Sequence, residues 1–171
     1  AITLGNANTD SITFTGGLDT TDASGTTIAG TVATTNTTID LSTLTLAADS
    51  AITTDTGIGN IIFADNVLGN HKLTLTAGTG DIDFQSTVGA TTPLSGLLVK
   101  SAANFDFDNT VAVDDEGIDI TAGTIDIVNT ITTTNAGAVT LTNSGLLTIS
   151  ASGDMILDGS FTQDGAGAVS T

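Results

Sequence analysis

One short pattern recurs along the whole chain and restricts its fold more than any other feature. Read as apolar, any, apolar, three spacers, apolar, it lies at Ile82-Phe84-Val88 and again at Ile61-Phe63-Val67, Phe105-Phe107-Val111 and Ile125-Ile127-Ile131. Looser copies lie at Ile12-Phe14-Leu18 and Met155-Leu157-Phe161, while Ile39-Leu41 offers Leu44 where the pattern would place Thr45. Its first positions, Ile12, Ile39, Ile61, Ile82, Phe105, Ile125 and Met155, mark a repeat period that is tight in the middle and lengthened by insertions at both ends. A chain that repeats itself at such a period builds one structural unit per repeat and buries its core by stacking them.

A second strand accompanies the first between residues 73 and 144. Leu73-Thr74-Leu75-Thr76, Leu97-Leu98-Val99-Lys100, Ile118-Asp119-Ile120-Thr121 and Val139-Thr140-Leu141-Thr142 follow one another at the same period. Side chains of a strand alternate between its two faces. The inward columns are then Leu73, Leu97, Ile118, Val139 and Leu75, Val99, Ile120, Leu141, all aliphatic. The first strand gives Ile61, Ile82, Phe105, Ile125 and Phe63, Phe84, Phe107, Ile127, with Val67, Val88, Val111 and Ile131 stacked at a further corner. Gly78, Gly80, Gly96, Asn104, Gly117 and Gly123 fall between these strands, where the chain must turn sharply. No stretch shows helical periodicity. The expected fold is all-β: a parallel β-solenoid of about seven rungs, each of roughly 20–30 residues. Residues 1–171 form a single solenoid segment on this reading. Residues 19–38 read as a surface loop or a weak extra strand. For residues 145–161 two registers stay open, with either Met155-Leu157 or Leu147-Ile149 as the core pair.

Composition agrees with strands and narrows the partners. The chain has 36 Thr, no Trp, no Tyr and one Pro, and Thr, Ile and Val favour strands. Hydrophobic residues make up 39% of it, enough for a continuous interior. Eighteen Asp and Glu116 stand against Lys72 and Lys100, for a net charge of -17. A phosphate backbone is held by cationic side chains that displace its counterions, so nucleic acid is not an expected partner, and neither is anionic lipid. Without cysteine there are no disulfides and no thiolate metal sites. No apolar run approaches the roughly 20 residues of a membrane helix. The chain opens on Ala1-Ile2-Thr3 without a signal peptide and stops at Ala168-Val169-Ser170-Thr171, which is similar to Ala138-Val139-Thr140-Leu141. It reads as a processed subunit or a piece of a longer solenoid.

The strands Leu73-Thr-Leu-Thr-Ala-Gly78 and Ile118-Asp-Ile-Thr-Ala-Gly123, each followed by an I/F-D-F/I strand, carry a resemblance that covers most of the chain from about residue 39 onward. They resemble the filamentous-haemagglutinin-like β-helix repeats of large secreted bacterial adhesins and two-partner-secretion exoproteins. That resemblance implies a right-handed β-helix shaft, a secreted or cell-surface location and a part in adhesion, with a host, cell-surface or carbohydrate ligand as partner. The amino-terminal secretion domain of those exoproteins is not evident in this sequence.

Few residues suggest chemistry. Asp83, Asp106 and Asp126 hold the same outward position in successive rungs, and a divalent cation such as Ca²⁺ would relieve their repulsion with hard oxygen ligands. Asp81, Asp108, Asp114, Asp115 and Glu116 lie nearby in sequence. The Ca²⁺-binding nonapeptide of toxin-type β-rolls is absent, and a solvated acidic face is the plainer reading. Thr-x-Thr pairs suggest an ice-binding solenoid, but the outward columns Thr74, Leu98, Asp119, Thr140 and Thr76, Lys100, Thr121, Thr142 are interrupted. Asp106/Asp108 or Asp114/Asp115 could act as the paired acids of a polysaccharide-active enzyme, though no Trp or Tyr is present to stack a sugar. His71 has no second His or Cys to share a metal with. The expectation is therefore a non-enzymatic structural module that associates with itself through its solenoid ends.

Overall fold

The computed structural model describes residues 1–171, and every strand in it pairs in parallel. No helix is formed. An eight-stranded sheet makes the first face of a β-solenoid, from Leu18–Asp19, Ile39–Leu41, Ile61–Phe63 and Ile82–Phe84 to Asn104–Phe107, Thr124–Ile127, Leu147–Ile149 and Val169–Ser170. A 12-stranded sheet makes the other two faces, because the long strands Thr26–Thr34, Leu44–Thr53 and Val111–Ala122 cross from one to the next. In Val111–Ala122 the buried positions change from odd numbers (Val111, Val113) to even ones (Ile118, Ile120, Ala122). That change of phase marks the corner, and Gly117 takes φ +68° there.

The number of turns is eight, one more than the sequence pattern suggests. Leu18, Ile39, Ile61, Ile82, Phe105, Ile125, Leu147 and Val169 form one continuous column with a nearly even step along the chain. The insertions expected at both ends disappear because two of the repeat copies belong to other faces. Ile12 pairs with Val32, and Met155 pairs with Ile131. The register of residues 145–161 is thus resolved in favour of Leu147-Ile149, which pair with Ile125 and Ile127. Val169 likewise follows Leu147 rather than the column of Val139. Residues 19–38, expected to be a loop or weak strand, include the nine-residue strand Thr26–Thr34, paired on both sides.

The inward columns expected for the middle turns are all present. Leu73, Leu97, Ile118 and Val139 stack in register, as do Leu75, Val99, Ile120 and Leu141. Val67, Val88, Val111 and Ile131 form the corner column, and Leu44 joins it below Val67. One core cluster of 34 buried residues runs along the molecule. Its aromatic centre is a stack in which Phe63 and Phe84 lie 4.3 Å apart at 11°, while Phe105 and Phe107 meet edge-to-face at 4.6 Å. Stacked and T-shaped pairs of this kind add to the gain from burial alone.

Several polar side chains that turn inward are held by the carbonyls of the corners. The Thr54 hydroxyl donates to Gly59 O (2.6 Å), and Asn143 Nδ2 donates to Gly145 O (2.7 Å) and Ala168 O (3.3 Å). Gly78, at φ +62°, packs so closely on the turn below that a Cβ would lie 2.3 Å from the Thr56 carbonyl carbon. Asn104, expected in a turn, instead begins a strand of the first face. Lys100 also departs from its expected column. It sits at a bulge, and Ser101 is the residue that pairs with Thr76.

Candidate functional site: an acidic ladder on the first face

Outward residues of the first face stack in register with the inward core. Asp83, Asp106 and Asp126 occupy one column on three neighbouring strands, as the repeat predicts. The same column continues through Ile62 to Asp40 and Asp19, and ends in Thr148 and Ser170. Asp19 and Asp40 were not singled out in the sequence. The signal was available, since Ile39-Asp40-Leu41 repeats the apolar-Asp-apolar triplet of Ile82-Asp83-Phe84.

Each carboxylate has a different environment. Asp81 Oδ1, just before the ladder, accepts from Asn104 N (3.1 Å) and Asn104 Nδ2 (2.7 Å). Asn104 Oδ1 in turn accepts from the Thr124 hydroxyl at 2.6 Å, so a line of polar side chains joins three turns. Asp83 Oδ2 accepts from Gln85 Nε2 at 2.8 Å, but its Oδ1 is buried without a partner. Asp40 Oδ1 is likewise buried and unpartnered. Partial burial, followed by the charges of Asp126, Asp83, Asp108 and Asp81, raises the Asp106 carboxyl to about 6. Burial and then Asp83 and Asp126 raise Asp108, while burial and then Asp19 and Asp83 raise Asp40. Asp19 goes the other way, lowered by the Thr21 backbone N–H (2.9 Å) and hydroxyl (2.7 Å). Both effects follow from which protonation state the surroundings favour.

A shallow depression lined by Asp81, Asn104, Asp106, Thr124, Asp126 and Thr148 runs along this ladder. No three His, Asp or Glu side chains converge as a set that could hold a metal ion. The ladder is a line of carboxylates one strand spacing apart, about 4.8 Å. Of the acids grouped with it by sequence, Asp81 and Asp108 lie beside it, whereas Asp114 and Glu116 lie elsewhere. Asp114 accepts from the Thr134 hydroxyl (2.8 Å) and Asn135 Nδ2 (2.6 Å), and Glu116 accepts from Lys72 Nζ (2.7 Å) and the Ser95 hydroxyl (3.2 Å). The Lys72–Glu116 pair ties strands two turns apart, a contact across 44 residues that no local motif signals. Being partly exposed, it contributes about 0–1 kcal/mol. His71 Nδ1 lies 3.7 Å from Asp49 Oδ1 at the surface.

No protein-family model, curated protein or solved structure matches this chain. The fold is a parallel β-solenoid built of repeats, consistent with a β-helix repeat region. No helix is long and apolar enough to cross a membrane.

Proposed function

We propose that this chain is a non-enzymatic length of shaft, a structural or adhesive stalk in a secreted or cell-surface bacterial protein. The observation that carries the reading is the single core that runs from the first turn to Leu147 on the seventh, with a ladder of backbone hydrogen bonds joining each turn to the next. Such a body has stiffness and length as its main properties. A rung cannot bury its own face, so the chain is rigid only as a stack. The repeat resemblance supports the same assignment and is the source of the extracellular location.

The edge of the turn that holds Phe161 and Val169 is one on which further turns, of this chain or of another copy, would stack. Phe161 and Val169 of the last turn are 44% and 50% exposed, whereas Val139 and Leu147 directly before them are fully buried. Free strand edges accept another strand in the same sense. Another copy of the chain placed head to tail would meet them without closing, which gives a filament. Negative-stain microscopy and sedimentation velocity across a range of concentrations test this. Filaments or a concentration-dependent ladder of oligomers are expected for the 171-residue chain. A monodisperse monomer at the highest concentration would overturn copy-to-copy stacking.

A further inference from the structure

The charged groups that the strands on either side bring to Asp106 are all acids. Asp83, preceded by Asp81, faces it from one neighbouring strand and Asp126 from the other, while Asp108 follows it on its own strand. Neither lysine reaches this face: Lys72 is paired with Glu116, and Lys100 lies at a bulge on the 12-stranded sheet. Asp81 Oδ1 is already occupied by Asn104, and Asp83 Oδ2 by Gln85. Asp83 Oδ1 is buried and has no donor. A buried acceptor without a donor is unfavourable, and so are two ionised carboxylates side by side. One proton between the two residues would relieve both.

We infer that Asp83 and Asp106 share a proton, carried on Asp106 and donated to Asp83 Oδ1, so that the seam between the fourth and fifth turns tightens in mild acid. The raised Asp106 carboxyl fits this arrangement. Between the ordinary carboxylate value of 3.8 and about 6, the folded chain holds a proton that the unfolded chain has lost. Stability from this group therefore rises as pH falls through that window, is complete below it and is absent above it. The direction is opposite to that of a salt-bridged carboxylate, which loses stability in acid.

Thermal unfolding of the whole chain between pH 7.5 and 4.5 tests the inference. Acidification also reduces the overall negative charge, so the reading is the difference between variants. In Asp106→Asn the amide supplies the donor permanently. Its Tm at pH 7.5 is expected to exceed that of the parent by roughly 2–4 °C, with a flatter dependence on pH. Asp119→Asn, which removes an exposed acid on the other sheet, is expected to keep the parent slope. An Asp106→Asn variant that follows the parent slope would overturn the inference. A carbon-detected NMR titration provides a second readout in the unmodified ladder. The Asp106 carboxyl carbon is expected to titrate near 6 and to move down in Asp83→Asn; titration in the ordinary carboxylate range would also overturn it.

Discussion

Phe84 shows how much one side chain can contribute to a stacked fold. It is 1% exposed, stacks on Phe63 and touches both Phe105 and Phe107, with centroids at 5.8 and 5.3 Å. Truncation leaves a cavity shared by three turns that the backbone ladders prevent from closing. Phe84→Ala is expected to lower the unfolding free energy by about 3–5 kcal/mol, measured by chemical denaturation. A loss below about 1 kcal/mol would mean that the aromatic column does not carry the core. At the same scale the sequence was a good guide to which residues are buried and a poor guide to how polar ones are satisfied. Alternation along Ile82-Asp83-Phe84 identifies Phe84 as inward and Asp83 as outward. It says nothing of the missing donor at Asp83 Oδ1 or the Asn104 bridge to Asp81, which depend on neighbours a full turn away along the chain.

Among the elements, the middle turns were legible and the terminal ones were not, for a physical reason. An apolar-x-apolar pair with a four-residue step to the next apolar position serves every corner of this solenoid. Phe84 to Val88 turns from the first face to the second, and Phe14 to Leu18 turns from the third back to the first. Leu157 to Phe161 makes the same step between the second and third faces. Pattern alone therefore finds a corner without saying which one. In the middle turns two independent strands per repeat fix the phase, whereas the first and last copies have a neighbour on one side only. Equivalence between turns has a consequence for deletions. Removing residues 82–104 takes out one whole turn and brings Phe105 into the place of Ile82 above Ile61. This variant is expected to keep a parallel-sheet circular dichroism spectrum and a cooperative melt, at a lower midpoint. Removing residues 82–91 alone puts the later strands out of phase and is expected to abolish the melt. If both deletions behave alike, the turns are not interchangeable units.

For the whole molecule, the nearly even step from turn to turn stacks the turns on one continuous interior. The acids of the ladder lie on the eight-stranded face, while the outward column Ser11, Thr31, Ala51 and Thr74 on the 12-stranded sheet is uncharged until it reaches Asp119. The first of the threonine columns noted in the sequence remains interrupted in space, by Leu98 and Asp119, and in the second Ser101 stands beside Thr76 where Lys100 is expected. A shaft of this kind is defined by its register, and the register can be measured as distance. The chain has no cysteine, so pairs of spin labels can be placed freely along the outward column Asp40, Ile62, Asp83, Asp106, Asp126 and Thr148. Double electron–electron resonance from a label at Asp40→Cys should give about 19 Å to Asp126→Cys and about 24 Å to Thr148→Cys, one strand spacing more. A label at Ile156→Cys lies on a different face and should fall off this line. Distances that place Ile156 rather than Thr148 one step beyond Asp126, or that do not grow by a constant step, would contradict the eight-turn solenoid.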